Sequence, residues 1–548
     1  MITIKSRKWL DEAVFKEILR IADYKGYIQG EGSIFIFNLN KALRSGYMYE
    51  DVVLLIQTYG LEIDRSGLEE LKKLYSEVGV TLTWNKVQGL VEVSIPYPIY
   101  NRVRDVLRRV TARFSSKSRT GLIFRVLPYS LYVIKEEIEK LGIKIIDKDD
   151  LLRDKPLPIS AKLTNINLRN YQVEALEKWI NNGYKGIIAL PTGSGKTIIG
   201  IAAITKTNAR TIIITYTREQ MFQWRDAIIK YTNIEPYLVG LMYSEEKRLA
   251  PITITTYQSG FRLINEVSPF FDFLLVDEVH HLPAEKFRYI ALHSIARYRM
   301  GLSATPIRED GKHEELFPLL GGIVYYRSPA ELAKMGYLAH YKIYTIKVKL
   351  TREEKKLFED LRKQYRSLIG YSSFQEVLEA AKRGNEQAKK ALRIHSQLRM
   401  LMARSKAKID KAVEIAKREL SRGSKIIVFT QYVDQAKTIS RALNAYLLTG
   451  EVPVDERKRV LHDFREATSD VLVVTTVGDE GLDIPDANVG IIVSGTGSRR
   501  QFIQRLGRLL RPKGGDVEAR LYEIVLERTP EEAQARKRKK WDINNFLP

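Results

Sequence analysis

The fold is decided by the stretch LPTGSGKT, residues 190–197, which directly follows the apolar run GIIA at residues 186–189. A short buried strand that leads into a glycine-rich turn and then into a helix is an arrangement that holds a polyphosphate. We expect positive φ angles at Gly193 and Gly195, because such a backbone turns several N–H groups inward onto phosphate oxygens. The stretch therefore predicts a phosphate-binding loop at the carboxyl end of a strand.

The remaining residues of this loop predict what it binds. Thr192 and Ser194 complete the backbone cradle with the two glycines. Lys196 would reach the β- and γ-phosphates, and the Thr197 hydroxyl would ligate Mg²⁺. The general pattern has glycine where this chain has Leu190, so a glycine-rich turn in an α/β domain that binds no nucleotide stays an alternative at this point.

A second acidic site follows another buried strand. The apolar run FLLV at residues 273–276 ends in Asp277-Glu278-Val279-His280. Asp277 can complete the Mg²⁺ shell, and Glu278 can orient and polarise the attacking water. The two sites in this order predict a nucleoside triphosphate hydrolase.

Composition limits the class of protein. A chain of 548 residues is too long for a single hydrophobic core, and its length suggests three or four domains. A formal net charge of +23 indicates a polyanionic partner, with a generally basic enzyme surface as the alternative. The absence of cysteine excludes disulfides and thiolate metal sites. Because no apolar run is long enough for a membrane span or a signal peptide, we expect a cytoplasmic protein without a membrane partner.

The order of elements predicts an α/β protein. Residues 1–155 mix helical and strand patterns and predict an N-terminal α+β domain. Buried strands alternate with helices in residues 156–325 and again in 326–548, which predicts two tandem parallel-sheet domains. A helical insertion, residues 351–410, interrupts the second of these domains.

Two basic segments are candidates for contact with nucleic acid. Residues 101–125 contain eight Lys or Arg and one acidic residue, with aromatic residues between them. Residues 351–410 carry fifteen Lys or Arg against eight Asp or Glu. Cations neutralise phosphates and aromatic rings stack on bases, but each segment also fits a solvated basic face.

A row of arginines lies in the second parallel-sheet domain. Arg505, Arg508 and Arg511 are spaced by three residues and fall on one helix face. A guanidinium that crosses a cleft stabilises charge developing on the γ-phosphate and couples hydrolysis to closure of the two domains. We therefore interpret Arg508 and Arg511 as catalytic residues supplied by the second domain.

Taken together, these stretches resemble the superfamily 2 helicases, which implies tandem RecA-like domains over about residues 168–515. Gln172, just after Arg169, matches the adenine-reading glutamine of that family, and Ser303-Ala304-Thr305 matches a further helicase motif. The resemblance implies that Gly481 and Asp483 contact the nucleotide. It also implies that four threonines contact the tracked DNA strand, namely Thr217, Thr255, Thr430 and Thr475.

More narrowly, the chain resembles the XPB helicases in their shorter archaeal form. The carriers are the DEVHH stretch at residues 277–281, the triplet Arg308-Glu309-Asp310, the helical insertion in the place of that family's thumb, and the front domain in the place of its damage-recognition domain. The resemblance implies 3′ to 5′ movement on DNA, a role in nucleotide excision repair and in transcription, and a nuclease partner. It implies no sequence preference. We expect a monomer that uses ATP and Mg²⁺ and associates with the nucleoid in the cytoplasm.

Two other interpretations stay open on the sequence. A RecG-like or remodeller-type duplex translocase shares most of these motifs but does not separate strands. A catalytically idle DNA-binding scaffold is the alternative from a different class, although Lys196, Asp277, Glu278 and Arg511 are all present. Within the main interpretation, the triplet at residues 308–310 is expected to act as a wedge at the fork, with a local surface ion pair as the alternative.

Overall fold

A computed structural model of the protein describes residues 2–282, 284–304, 312–370, 373–475, 487–494 and 518–539. Within these residues the strands form four sheets, of which two are large and parallel. The prediction of two tandem RecA-like parallel-sheet domains is thereby confirmed.

The front of the chain begins with a three-stranded antiparallel sheet. Its strands, in the spatial order β1-β3-β2, are β1 (Thr3–Ser6), β2 (Ala22–Ile28) and β3 (Gly32–Phe37). Four helices follow or interrupt it: α1 (Glu12–Leu19), α2 (Leu39–Arg44), α3 (Tyr49–Thr58) and α4 (Arg65–Ser76). Apolar side chains of the sheet and the helices, among them Ile4, Phe35 and Leu71, form one buried cluster.

A second sheet follows in the same front region. Its strands, in the spatial order β6-β7-β5-β4-β8, are β4 (Val80–Asn85), β5 (Leu90–Pro96), β6 (Arg113–Lys117), β7 (Gly121–Val126) and β8 (Ile145–Asp147). Helices α5 (Tyr100–Arg109) and α6 (Leu131–Lys140) supply apolar side chains to its separate buried cluster. Residues 1–155 thus hold helices and strands, as the α+β prediction requires, but in two units. The domain boundary near residue 155 stays a prediction.

The front region contacts the first parallel-sheet domain through the end of β4 and the turn that follows it. The indole Nε1 of Trp84 donates to the carbonyl oxygen of Asn265 at 3.2 Å. The ring Nδ1 of His293 lies 2.8 Å from the carbonyl oxygen of Gly89. A Cβ at Gly89 would lie 2.1 Å from the amide oxygen of Asn265, so this close approach requires glycine.

The first large sheet has seven parallel strands in the order β11-β12-β10-β13-β14-β9-β15. They are β9 (Lys185–Ala189), β10 (Thr211–Thr215), β11 (Val239–Met242), β12 (Ile252–Thr256), β13 (Phe273–Asp277), β14 (Tyr298–Ser303) and β15 (Ile323–Tyr326). The accompanying helices are α7 (Asn170–Asn181), α8 (Lys196–Thr207), α9 (Arg218–Tyr231), α10 (Tyr257–Val267), α11 (Glu285–Leu292), α12 (Phe317–Leu320) and α13 (Pro329–Lys334). Both faces of the sheet are buried, as near-continuous apolar strands require.

The second large sheet has six parallel strands in the order β16-β21-β20-β17-β19-β18. They are β16 (Tyr341–Val348), β17 (Ile426–Phe429), β18 (Tyr446–Leu448), β19 (Val471–Val474), β20 (Val489–Ile492) and β21 (Ala519–Leu526). Its helices are α17 (Lys406–Leu420), α18 (Val433–Leu443), α19 (Val454–Glu466) and α20 (Pro530–Lys539).

The insertion predicted at residues 351–410 is helical. It contains α14 (Arg352–Ile369), α15 (Phe374–Lys382) and α16 (Glu386–Ala403), and its end overlaps the start of α17. Thr351 caps α14 by accepting from the backbone N–H of Glu354. Apolar side chains of α14 and α16 pack on Leu526 of β21, which holds the insertion against the second sheet. No helix in the described part of the chain has both the length and the apolar character that a bilayer crossing requires.

Candidate nucleotide-hydrolysis site

The phosphate-binding loop joins β9 to α8 at the carboxyl edge of the first large sheet. Gly193 and Gly195 have φ angles of 84° and 79°, so the predicted left-handed backbone is confirmed at both. The ammonium group of Lys196 donates to the carbonyl oxygens of Leu190 at 3.1 Å and Pro191 at 3.4 Å. The lysine therefore folds over the loop and faces the space that its backbone encloses.

The start of α7 holds the loop from outside. The amide Nε2 of Gln172 donates to the carbonyl oxygens of Ser194 at 3.2 Å and Gly195 at 3.4 Å, while its Oε1 accepts from the backbone N–H of Arg169 at 2.9 Å. The Tyr171 hydroxyl also donates to the Ser194 carbonyl. A Cβ at residue 195 would lie 2.6 Å from Nε2 of Gln172, so both the φ angle and the space require glycine there.

The acidic pair forms a strained turn at the end of β13. Glu278 has a φ angle of 48°, a left-handed conformation that costs a residue other than glycine roughly 1–3 kcal/mol. The backbone N–H of Glu278 donates to Oδ1 of Asp277 at 2.9 Å. The indole Nε1 of Trp224 in α9 donates to the other oxygen, Oδ2, at 2.8 Å. Asp277 is therefore held through both of its oxygens.

Buried polar groups behind this turn join two helicase motifs. The ring Nδ1 of His280 lies 3.0 Å from the hydroxyl of Ser303 at the end of β14 and 3.3 Å from Oε2 of Glu278. His280 and Ser303 are fully buried. The structure thus brings the DEVH stretch and the Ser303-Ala304 stretch into direct contact, as their positions at neighbouring strand ends require.

The two carboxylates have opposite pKa shifts. Burial raises the pKa of Asp277, and the adjacent charge of Glu278 raises it further. Burial also opposes the charged form of Glu278, but the imidazole of His280 and the ammonium group of Lys196 outweigh it and lower the pKa of Glu278. Glu278 is therefore the carboxylate that the site keeps ionised, which suits the group that orients an attacking water.

The residues present fit a nucleotide with its magnesium ion. The loop places left-handed glycines and the N-terminus of α8 around one space, which is an anion site. Thr197 in the first turn of α8 and Asp277 at the end of β13 offer a hydroxyl and a carboxylate, the oxygen ligands that Mg²⁺ prefers. Both stand at the carboxyl edge of the sheet, where open parallel sheets bind ligands.

The four threonines predicted to contact DNA lie at strand ends. Thr217 follows β10 and Thr255 lies near the end of the adjacent β12, while Thr430 and Thr475 follow the adjacent strands β17 and β19. The hydroxyl of Thr255 donates to the Met242 carbonyl at 2.6 Å.

Among these four threonines, only Thr217 has a partly exposed side chain. The side chains of Thr255, Thr430 and Thr475 are buried. The Thr430 hydroxyl contacts Ser494 at 2.9 Å and also Gln435. All four stay predictions as DNA contacts.

Several predicted residues lie outside the described part of the chain. They are Thr305, Arg308, Glu309, Asp310, Gly481, Asp483, Arg505, Arg508 and Arg511. Their assigned roles stay predictions.

The comparisons with known proteins identify the family. The model of the type III restriction enzyme res subunit matches residues 165–308, and that of the ERCC3/RAD25/XPB C-terminal helicase matches residues 384–546. A DNA 3'-5' translocase XPB2 of Sulfurisphaera tokodaii is 36% identical over 431 residues, which cover 77% of this chain and 94% of that protein. The chain belongs to the XPB family of superfamily 2 helicases.

Other members of the XPB family match over similar lengths. A DNA 3'-5' helicase XPB of Kineococcus radiotolerans is 32% identical, and the matched region covers 91% of this chain and 85% of that protein. The XPB helicase/translocase subunit of the general transcription and DNA repair factor IIH of Schizosaccharomyces pombe is 29% identical, over 77% of this chain and 52% of its own length. The XPB resemblance read from the sequence motifs is thereby confirmed.

Three residues of this XPB-family site were not predicted from the sequence. Tyr171 and Trp224 contact the loop and Asp277, and the hydroxyl of Tyr257 donates to the carbonyl oxygens of Asp277 and Glu278 at 3.1 and 3.2 Å. Their apolar periodicity predicts only core positions. Tyr171 and Tyr257 do carry a sequence signal, since each is an aromatic residue with a polar atom in the first turn of a helix next to a predicted motif, whereas Trp224 lies two turns into α9.

Proposed function

We propose that this chain is an ATP-dependent DNA helicase or translocase that moves 3′ to 5′ and opens duplex DNA in nucleotide excision repair and in transcription. One observation carries the proposal: a phosphate-binding loop and the Asp277-Glu278 turn, whose Glu278 carboxylate the site keeps ionised, stand at one edge of one parallel sheet, in a chain of the XPB family. The left-handed backbone of Glu278, at the same edge as the phosphate-binding loop, favours an enzyme over an idle scaffold.

Each residue of the site has a defined task in this reaction. The loop backbone at 192–195 and Lys196 bind the phosphates of ATP, and Gln172 with Arg169 faces the base. Glu278 orients the attacking water. Arg508 and Arg511 approach from the second domain and stabilise the charge on the γ-phosphate. Mg²⁺, when bound through Thr197 and Asp277, neutralises charge on the phosphates.

The DNA side of the proposal uses charge and strand ends. A net charge of +23 favours a polyanion, and Thr217 offers a partly exposed hydroxyl at the edge that also carries the acidic turn. We assign the strand-end threonines Thr255, Thr430 and Thr475 to the same DNA path. We assign Gly481 and Asp483 to contact with the nucleotide. The triplet 308–310 is assigned to the fork.

The domain plan and the setting belong to the same proposal. The boundaries are residues 1–155, 156–325 and 326–548, with the thumb-like insertion at 351–410. The protein works as a monomer in the cytoplasm, associated with the nucleoid, and a nuclease is its partner. The name of a factor IIH subunit among the relatives supports a partnered role in repair and transcription.

The test pairs ATP hydrolysis with strand displacement on one preparation. Phosphate release is measured with and without DNA, and displacement is measured on duplexes that carry a 3′ or a 5′ overhang. We expect DNA to stimulate hydrolysis and only the 3′ overhang to support displacement. Hydrolysis without displacement on either substrate would instead identify a duplex translocase of the RecG or remodeller type.

A matched pair of variants shows that the loop is responsible. Lys196→Ala removes the cation that compensates phosphate charge and should abolish turnover and weaken ATP binding. Lys206→Ala removes an exposed lysine from the last turn of the same helix, α8, and should leave both unchanged. More than half of the wild-type rate in Lys196→Ala would contradict the proposed function.

A further inference from the structure

Helices α9 and α10 both contact the Asp277-Glu278 turn, and both start at the edge of the sheet to which we assign DNA. Because that assignment is part of the proposed function, the inference rests on it. Helix α9 begins after Thr217, whose hydroxyl accepts from the backbone N–H of Gln220, and α10 begins after Thr256, whose hydroxyl accepts from Ser259. Strands β10 and β12, which lead into these helices, are neighbours in the sheet. The two helices therefore start at the same edge of the sheet, and they pack on its opposite faces.

Helix α9 contacts the acidic turn through Trp224. This residue lies seven positions after Thr217, so the two share one face of the helix, two turns apart. The indole Nε1 donates to Oδ2 of Asp277 at 2.8 Å. The ring is fixed on its other side, because a Cβ at Gly200 in α8 would lie 2.6 Å from it. A shift of α9 along its axis is therefore passed to the Asp277 carboxylate.

Helix α10 contacts the same turn through Tyr257, its first residue. The buried hydroxyl lies 3.1 Å from the carbonyl oxygen of Asp277 and 3.2 Å from that of Glu278. These carbonyls flank the left-handed backbone of Glu278. A movement at the start of α10 is therefore passed to the backbone that sets the direction of the Glu278 side chain.

A third contact joins the same elements. The ring of Tyr216, directly before Thr217, stacks on His281 with centroids 3.8 Å apart and an angle of 5° between the planes. His281 lies three residues after Glu278, in the short helical turn that closes the acidic stretch. The acidic turn therefore contacts a residue on each side of Thr217 in the sequence, namely Tyr216 before it and Trp224 after it.

We propose that Trp224 and Tyr257 are positioning residues that couple DNA at the starts of α9 and α10 to the Asp277-Glu278 turn. DNA bound at these starts shifts the helices, and the two donors carry the shift to the carboxylates. The two residues touch neither ATP nor DNA. Their effect is on the DNA dependence of hydrolysis, since a small misplacement of a catalytic group is enough to change the rate strongly.

The test uses substitutions that remove the hydrogen-bond donor and leave an aromatic ring at each position. Trp224→Phe and Tyr257→Phe lose the indole and hydroxyl donors. Trp179→Phe is the matched control for the first, because Trp179 is equally buried in the same apolar cluster and donates to the Arg299 carbonyl at 2.8 Å, away from the turn. Tyr75→Phe is the control for the second, since its buried hydroxyl donates to the Tyr47 carbonyl in the front unit.

Three measurements separate coupling from loss of structure. The first is the ratio of ATP hydrolysis rates with and without saturating single-stranded DNA. The second is the affinity for a fluorescent ATP analogue in Mg²⁺ with and without DNA, because coupling between two sites is reciprocal in binding. The third is the difference between wild type and Trp224→Phe in the change of tryptophan fluorescence on adding DNA, which isolates Trp224 because the other four tryptophans are common to both proteins.

We expect the ratio of hydrolysis rates with and without DNA to fall about tenfold in both variants, and the DNA effect on analogue affinity to be lost, while DNA affinity stays within about threefold of wild type. The controls should keep the wild-type ratio. If both variants also keep the ratio and the DNA effect on affinity, or if Trp179→Phe loses the ratio to the same degree, the coupling role is overturned while the proposed function stands. A wild-type protein that DNA does not stimulate would overturn both.

Discussion

The amide Nε2 of Gln172 lies 3.2 Å from the carbonyl oxygen of Ser194, which ties the start of α7 to the phosphate-binding loop. Gln172 is buried, and its Oε1 is engaged by the backbone of Arg169. A glutamine held at both ends fixes the direction of the loop carbonyls and thereby of the N–H groups between them. One side chain thus makes the contact with the loop and is also the residue to which we assign the reading of adenine.

Gln172→Ala should raise the KM for ATP about tenfold, because it removes the hydrogen bonds that tie the start of α7 to the Ser194 and Gly195 carbonyls, each worth roughly 0.5–1.5 kcal/mol. Steady-state hydrolysis at varied ATP checks this. Gln57→Ala, on the exposed face of α3, is the control and should match wild type. If the amide also reads adenine, the variant loses the preference for ATP over GTP. A KM within twofold of wild type would show that the contact with Ser194 does not shape the loop.

Glu278→Gln should lower kcat by roughly 10² to 10³ while ATP binding persists, because the amide cannot polarise the attacking water as the carboxylate does. Single-turnover hydrolysis and binding of a fluorescent ATP analogue measure the two effects separately. Glu266→Gln changes an exposed glutamate of α10 and should leave both unchanged. Retention of more than half of the wild-type rate in Glu278→Gln would remove this residue from the catalytic set.

Fully buried apolar runs predicted strands of the first large sheet. The runs at 186–189 and 273–276 became the bodies of β9 and β13, because strands covered on both faces read as unbroken apolar stretches. The edge pair β16 and β21 was not predicted. These strands come from opposite ends of the second domain's sequence, and pairing between distant segments leaves no local pattern.

The candidate site was predictable where one residue type is required by backbone geometry. Glycine adopts positive φ angles readily, so the sequence alone predicts the backbone at Gly193 and Gly195. The roles of Trp224 and Tyr257 could not be predicted in this way, because they arise from tertiary contacts with a strand that comes later in the chain. The burial of Thr255 likewise depends on the neighbouring β11, a strand of four residues that the periodicity did not reveal.

DNA binding should be largely independent of sequence and should weaken steeply with salt, because neutralised phosphates release counterions. A plot of log affinity against log salt measures the slope. Arg113 and Lys117 are exposed on the edge strand β6, so their joint replacement by alanine should reduce the slope by about two if this strand lies on the DNA path.

The joint replacement of Lys72 and Lys73, two exposed lysines of α4, by alanine is the control for that experiment. It removes the same charge from the other front unit and should leave the slope unchanged. A flat plot for the wild-type protein would mean that the basic segments are solvated faces. An equal effect of the two double variants would assign the slope to net charge alone.

Replacing Arg308 and Asp310 together by alanine should leave most DNA-stimulated hydrolysis intact while duplex opening falls sharply, because the triplet is expected to act at the fork. Strand displacement and phosphate release on the same DNA give the comparison. The joint change Glu12→Ala and Lys16→Ala removes an exposed ion pair from α1 and is the charge-matched control. A proportional decline of both activities would place the triplet in the hydrolytic machinery instead.

Glu419→Gln should destabilise the second sheet domain by about 3 kcal/mol at pH 7, because Glu419 is a buried carboxylate at the centre of an ionic cluster. One oxygen accepts from the Tyr522 hydroxyl at 2.8 Å, and the other pairs with the Arg520 guanidinium at 2.8 Å. Hydrogen-exchange protection of β21 measures the loss locally, since a chain of several domains need not unfold in one step. Glu414→Gln, which removes an exposed partner of Lys411, should have little effect.

The stability that Glu419 contributes should depend on pH, and the direction follows from the pKa shift of its carboxyl group. Burial alone would raise the pKa of Glu419, but the Tyr522 hydroxyl and the Arg520 charge outweigh it and hold the pKa below its usual value. A lowered pKa in the folded state contributes stability that is complete above the unfolded pKa, about 4.3, and is lost as the pH falls through the folded value. The difference in β21 protection between wild type and Glu419→Gln should therefore be constant from pH 8 to about pH 5 and shrink below pH 4. A difference that grows as the pH falls would mean that the carboxylate is protonated in the folded protein and that the cluster is held by neutral hydrogen bonds.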